Sequence, residues 1–266
     1  MPPPQLSSLR AGTHPGALLA AVAAAALAVA LSTPRLAQDP AYHAFADRRA
    51  LAGVPNAADV LSNLAFAAAG LAGLRAVRRH RFLDSRERAP WTALFGGALA
   101  IAAASSVYHL APANGTLALD RLAMTVGFMG LLAAMIAERV DARAGARLLA
   151  PLLALGASSV VWWWASELRG AGDLRPYYFV QTFSLAAVPL LVAAGAPRYT
   201  GARWLLAALA VYGVAKLAEA GDRTIFAATG GIVSGHTLKH LLAAAAIALV
   251  AVMLDRRRPA ATARTT

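Results

Sequence analysis

Apolar positions in this chain come in long unbroken runs. Eight stretches, at about residues 17–32, 58–76, 90–111, 118–138, 147–166, 176–196, 202–220 and 235–254, are apolar over most of their length. Short polar connections separate them. Crossing ~30 Å of hydrocarbon takes roughly 20 helical residues. The pattern therefore predicts an all-α, multi-pass transmembrane protein in which each helix satisfies its own backbone polar groups. The first stretch is short, Ala-rich and preceded by Arg10. It reads as an extra N-terminal transmembrane segment or signal anchor, since no clean A-x-A cleavage site follows it, with the apolar region of a signal peptide as the alternative. The other seven form a helical bundle. The expected organisation is a tail and extra segment at 1–33, an outer loop at 34–57, a seven-helix core at 58–254 and a basic tail at 255–266. No sequence repeat is visible, and no room is left for a second, water-soluble domain.

Composition strengthens the membrane reading. Hydrophobic residues make up 59% of the 266 and charged residues only 14%, against ~25% charged in ordinary soluble domains. There is too little polar surface to cover a water-facing globule. The absence of Cys removes disulfides, thiolate metal sites and a Cys nucleophile. Any metal must then be held by His and carboxylates.

The net charge of +12 raises the question of nucleic acid, and its placement answers it. Alternate connections hold sixteen of the basic residues, among them Arg10, Arg75, Arg78, Arg79, Arg139, Arg143, Arg198, Arg256 and Arg264; the opposite connections hold eight. The positive-inside rule puts the richer set in the cytoplasm. A nucleic-acid partner is not expected. The Ala- and Arg-rich composition suggests a bacterium with a GC-rich genome. The expected location is its cytoplasmic (inner) membrane, with the C-terminus cytoplasmic.

Ionisable groups inside hydrocarbon are costly and mark candidate sites. Of the six His, His14, His43 and His80 fall in a tail and in loops, where solvation is expected. His109 closes the third stretch at its outer end, and His236 and His240 open the eighth at the same depth. The spacing of four puts His236 and His240 on one helix face. Three neutral imidazoles with one position left for water make a catalytic zinc arrangement. The alternative for each is a helix-end cap or a partner to a neighbouring helix. Ser105 lies one turn before His109, and Asp120 opens the next stretch after a short loop. Beside a metal-activated water, Asp120 would serve as general base and then acid, and Ser105 would donate to a developing oxyanion. Their structural alternatives are an N-cap or Arg121 partner for Asp120, and a back-bond to its own helix for Ser105. Asp59 is expected to cap its segment, Asn63 to bond a neighbouring helix, and Lys216 to pair with Glu219.

The set Ser105-x-x-x-His109, Asp120 and His236-x-x-x-His240 resembles the alkaline ceramidase family, within a seven-helix superfamily that includes the adiponectin receptors. Asp59-Val60-Leu61-Ser62-Asn63 resembles the family's first core helix, and Asp120-Arg121-Leu122-Ala123-Met124 its D-E-x-P-M stretch. Residues 42–254 carry the resemblance. It implies a seven-helix bundle with Zn²⁺ on His109, His236 and His240, with Asp120 carrying the proton and Ser105 assisting. The implied reaction is hydrolysis of a ceramide-like membrane lipid to a sphingoid base and a fatty acid. Tyr108, Trp162, Trp163, Trp164, Tyr177 and Tyr178 would line the lipid cavity or form an interfacial belt.

Arg121 and Ala123 depart from that pattern. So does the loop Asp47-Arg48-Arg49 to Asn56, which has one acid where the eukaryotic members bind calcium with several; a calcium site is not expected. Two other functions stay open. One is a receptor or scaffold with structural zinc and little or no turnover. The other is a hydrolase of a different lipid amide or ester. A transporter would show mid-membrane carboxylate pairs and repeat symmetry, and neither is visible.

Overall fold

A computed structural model describes residues 14–261; Arg10, Arg264 and the outer parts of the two expected tails lie outside the described residues. The described residues form an all-helical structure, with 77% of them in helix and no strand. The helices are α1 (Pro15–Ser32), α2 (Ala57–Ser62), α3 (Leu64–Arg79), α4 (Arg88–Leu110), α5 (Asn114–Arg139), α6 (Ala142–Leu168), α7 (Arg175–Ala194), α8 (Ala202–Ala220), α9 (Asp222–Ala228) and α10 (Gly235–Arg256). Among the described residues, seven helical runs are long and apolar enough to cross a membrane, counting α2 and α3 as one; α8 with α9 would make an eighth, although the pair is bent by 81°. Large apolar side chains including Val29, Leu71, Leu155 and Leu217 face outward. In a water-soluble protein such a surface would be a liability; in lipid it is the solvent-exposed face.

Capping explains where several helices begin. The Asp141 carboxylate accepts from Ala144 N at the start of α6, and the Ser234 hydroxyl from Thr237 N at the start of α10. Each satisfies a backbone donor that the first turn leaves unpaired. The first core stretch is broken at Asn63, which lies between α2 and α3. The stretch at 202–220 ends in a turn at Gly221 that reorients the chain into the short helix α9, which the apolar run did not predict.

α5 is the central helix, with 67% of its most apolar window buried, whereas only 6% of that of α1 is. α1 lies against α7 at the periphery. The α4–α5 contact is a backbone contact: a Cβ built on Gly97 would stand 2.6 Å from Gly127 N. Small residues at such crossings let membrane helices approach closely and pack by dispersion.

His109 lies at the end of α4, Asp120 in the first part of α5, and His236 and His240 at the start of α10. Among the described residues, not all of the basic side chains near helix ends are solvated. Arg257 is fully buried and donates to Glu138 Oε2 at 2.6 Å and to His80 Nε2 at 3.1 Å. Glu87 accepts from the Tyr199 hydroxyl at 2.6 Å and pairs with Arg198 at 2.9 Å. His80 is therefore a structural acceptor, contrary to the solvated role expected of it. Burial, and then the charge of Arg257, push its imidazole down to about 4.

Candidate metal centre

The three membrane His come together. The ring centroids of His109, His236 and His240 form a nearly equilateral triangle with sides of 4.8, 4.9 and 4.9 Å. One nitrogen from each lies within 4.8 Å of the other two. Around a tetrahedral zinc with bonds of ~2.05 Å such nitrogens are about 3.3 Å apart, so modest ring rotation closes the set on an ion. All three residues are buried. Neither ring nitrogen of His109 has a hydrogen-bond partner, and neither does Nε2 of His240. Buried, unpaired imidazole nitrogens are costly, and a shared cation would relieve that cost. The group can therefore hold a metal ion.

Neighbouring residues fix how the rings present themselves. Ser62 donates its only hydroxyl hydrogen to the Asp59 carbonyl at 2.8 Å, so it accepts at 2.8 Å from His240 Nδ1. That places the proton on Nδ1 and leaves the lone pair on Nε2, the unpartnered nitrogen. The Asp59 carboxylate does not cap its helix. It reaches across to α10 and accepts from Thr237 Oγ1 at 2.6 Å. Asn56, in left-handed backbone, donates to the His109 carbonyl at 2.8 Å. Asn63 donates to the Asp59 carbonyl within its own helix rather than to a neighbour.

The start of α10 is pressed onto the α8–α9 turn. The His236 N–H donates to Asp222 Oδ1 at 2.8 Å, and a Cβ on Gly235 would stand 2.1 Å from the Ala218 carbonyl oxygen. Only glycine allows that approach. Phe45, from the outer loop, covers the trio with ring centroids 4.6 Å from His109 and 4.8 Å from His236. That loop is anchored beside the site by His43, whose ring nitrogens lie 3.0 Å from the Tyr108 hydroxyl and 3.0 Å from Asn114 Oδ1. His43 is thus a tether, not a solvated loop residue. Nothing in the one-dimensional pattern pointed to Phe45, Ser62 or His43, because each acts across a long sequence separation.

One contact opposes a metal. Lys239 Nζ lies 3.1 Å from His236 Nε2 and 3.3 Å from Glu219 Oε1. An ammonium only donates, so it competes for that lone pair.

Asp120 and Ser105 are also placed together. Asp120 stands two turns into α5, whose N-cap is Ala113, so it is not a cap. The Ser105 hydroxyl hydrogen-bonds its carboxylate, and Oδ1 is buried without a partner. The back-bond expected of Ser105 is made instead by Ser106, to Ala102 O. Nor do Asp120 and Arg121 form an ion pair among the described residues; Arg121 donates to Gln38 Oε1 at 2.7 Å. Lys216 pairs with Glu219 as expected, and Glu219 also accepts from Tyr42 at 3.1 Å.

Ser105, Asp120 and His240 line one cavity of about 170 Å³, which runs between α5, α7, α8 and α10 to Leu94, Leu205 and Val250. The aromatic residues divide. Tyr177 and Tyr178 line this cavity, Tyr108 and Trp163 are buried, and Trp162 and Trp164 face outward. In the loop, Asp47 is engaged by Arg49 at 2.7 Å, and that hydrogen bond holds its carboxyl below the ordinary range.

No protein-family model matches the chain, and neither a curated protein nor a solved structure shows significant similarity to it.

Proposed function

We propose that the protein is a zinc-dependent intramembrane hydrolase, a seven-helix bundle with an extra N-terminal helix, that cleaves the amide bond of ceramide-like lipids. The observation that carries this reading is the buried His109–His236–His240 triangle, whose His240 lines one cavity with Asp120, a residue with a buried, unpaired carboxylate oxygen. Three imidazoles without a thiolate or a fourth protein ligand are the donor set of a catalytic zinc site. When bound, the zinc supplies Lewis acidity toward water and toward an amide carbonyl.

The chain's own residues do the rest. Asp120 Oδ1 takes a proton from water and returns it to the departing amine nitrogen. Ser105 holds the carboxylate in place through its hydroxyl. Ser62 fixes His240 in the Nδ1–H tautomer. The apolar length of the cavity takes an acyl chain, and Phe45 keeps bulk water from the outer side. The products are a sphingoid base and a fatty acid. Glu219, already a partner of Lys239, would hold that ammonium and leave His236 Nε2 free as a ligand. The setting is the cytoplasmic membrane of a bacterium, with the basic end inward and the His triangle near the outer face.

The test is metal analysis of purified protein combined with product detection from a panel of ceramides, other acyl amides and esters. Zinc near one equivalent with release of fatty acid is expected. His236→Ala and His240→Ala should each lose both. Zinc retained in both variants overturns the site, and bound zinc without turnover leaves the scaffold reading.

A further inference from the structure

The polar end of the cavity holds more positive charge than hydrolysis of a neutral lipid needs. Among its lining residues, Arg121, Lys216 and Lys239 face only two carboxylates, Asp120 and Glu219. Both lysines are committed to Glu219. Arg121 has no carboxylate at all. Its guanidinium is sandwiched against Trp163 at 4.1 Å and Tyr177 at 4.9 Å, with Tyr42 at 5.8 Å. Gln38 takes one of its nitrogens, and Nη1 is buried without a partner. The residue is only 3% exposed.

Ring faces stabilise a cation above them, but they leave the in-plane N–H groups unused. A buried guanidinium with a free N–H is costly, and its natural complement is an oxyanion. Asp120, the adjacent residue, also keeps an unpaired oxygen, yet the two do not meet. The fold therefore places a guanidinium with one unused N–H in the wall of the cavity that His240 and Asp120 also line. The far end is apolar. An anionic group bound by Arg121 must belong to the amine portion of a lipid amide, close to the scissile bond, and not to its acyl chain.

We infer that Arg121 is the recognition site for an oxyanion, a carboxylate or a phosphate, carried on the amine side of the lipid amide. This rests on the lipid-amide reading for its substrate class, but the binding itself requires no turnover.

The experiment measures equilibrium binding to the full chain in detergent micelles with a chelator present. N-palmitoylglycine is compared with N-palmitoylethanolamine, and ceramide 1-phosphate with ceramide. The acidic member of at least one pair is expected to bind about tenfold more tightly, the scale of one charge-assisted hydrogen bond. Arg121→Gln should reduce that preference to below about threefold while leaving the neutral lipids unchanged. Preference in the glycine pair alone identifies an N-acyl amino acid, and in the phosphate pair alone a phosphorylated lipid. Equal affinities in both pairs overturn the proposal, as does a preference that survives Arg121→Gln; if that variant does not fold, the wild-type comparison decides. Hydrolysis is then followed with zinc restored. Acid-selective binding without hydrolysis leaves Arg121 as a binding site and removes the hydrolase; hydrolysis of acidic and neutral lipids alike, with equal affinities, does the reverse.

Discussion

The Ser62 hydroxyl stands 2.8 Å from His240 Nδ1 while donating at 2.8 Å to the carbonyl of Asp59. A break between two short helices thereby sets the tautomer of an imidazole 178 residues later. Partners of this kind typically contribute 10–100-fold to metal affinity. Ser62→Ala is expected to weaken zinc binding by about that range in a chelator competition, with the fold kept. Unchanged affinity would detach Ser62 from the site.

Asp120→Asn keeps the size of the side chain but removes the group that carries the proton. Zinc content should stay at the wild-type level. Turnover should fall by about 10²–10⁴-fold, the usual contribution of a positioned acid–base group. Ser105→Ala should act in the same direction and less strongly, since Asp120 keeps its position on α5. An Asn variant with full activity reassigns the proton to another residue.

Gly235→Ala introduces a Cβ at 2.1 Å from the Ala218 carbonyl oxygen. The start of α10 must move away from α8, carrying His236 and His240 with it. The cost should be about 1–3 kcal/mol, read as a lower midpoint of thermal unfolding, together with reduced zinc occupancy. A stable variant with full zinc would show that the approach of these helices is not required.

Arg257→Ala leaves buried Glu138 with only its longer ion pair, to Arg139 at 3.7 Å. Breaking such a pair typically costs 3–5 kcal/mol, so the variant should unfold at a markedly lower temperature. Replacing the whole buried group, Arg257→Met with Glu138→Leu and Arg139→Met, should recover most of the loss, because no uncompensated charge remains. A triple variant as unstable as the single one would assign the effect to packing.

His80 provides a pH signature at the same end. Its folded value, about 4, lies below the ordinary imidazole value of 6.5. A depressed value means that the unfolded chain binds the proton more readily. The stabilisation is complete above about pH 6.5 and is lost as the pH falls toward 4. Unfolding midpoints of wild type and His80→Leu, measured between pH 7 and pH 4, should converge or cross as the pH drops. Parallel curves would contradict this.

Much of the architecture was written in the order of residues. Runs of apolar side chains near 20 residues long can be satisfied only as helices in hydrocarbon, so the class and the number of long elements followed from the chain. The meeting of His109, His236 and His240 followed as well, because all three lie near segment ends expected at a common level. Pairs one turn apart, such as Lys216 with Glu219, were legible for the same local reason.

Tertiary structure alone decided what touches what. Ser62, Phe45 and His43 meet the site from segments whose distance along the chain carries no signal of contact. The break at Asn63 and the bend at Gly221 flank α2 and α9, short helices that pack against α10, a contact that no hydrophobic period encodes. The burial of Arg139 and Arg257, which read as ordinary members of the basic-rich connections, was equally hidden, as was that of Arg121, which read as a neighbour of Asp120: sequence gives the charge, but only the packed helices determine whether water reaches it.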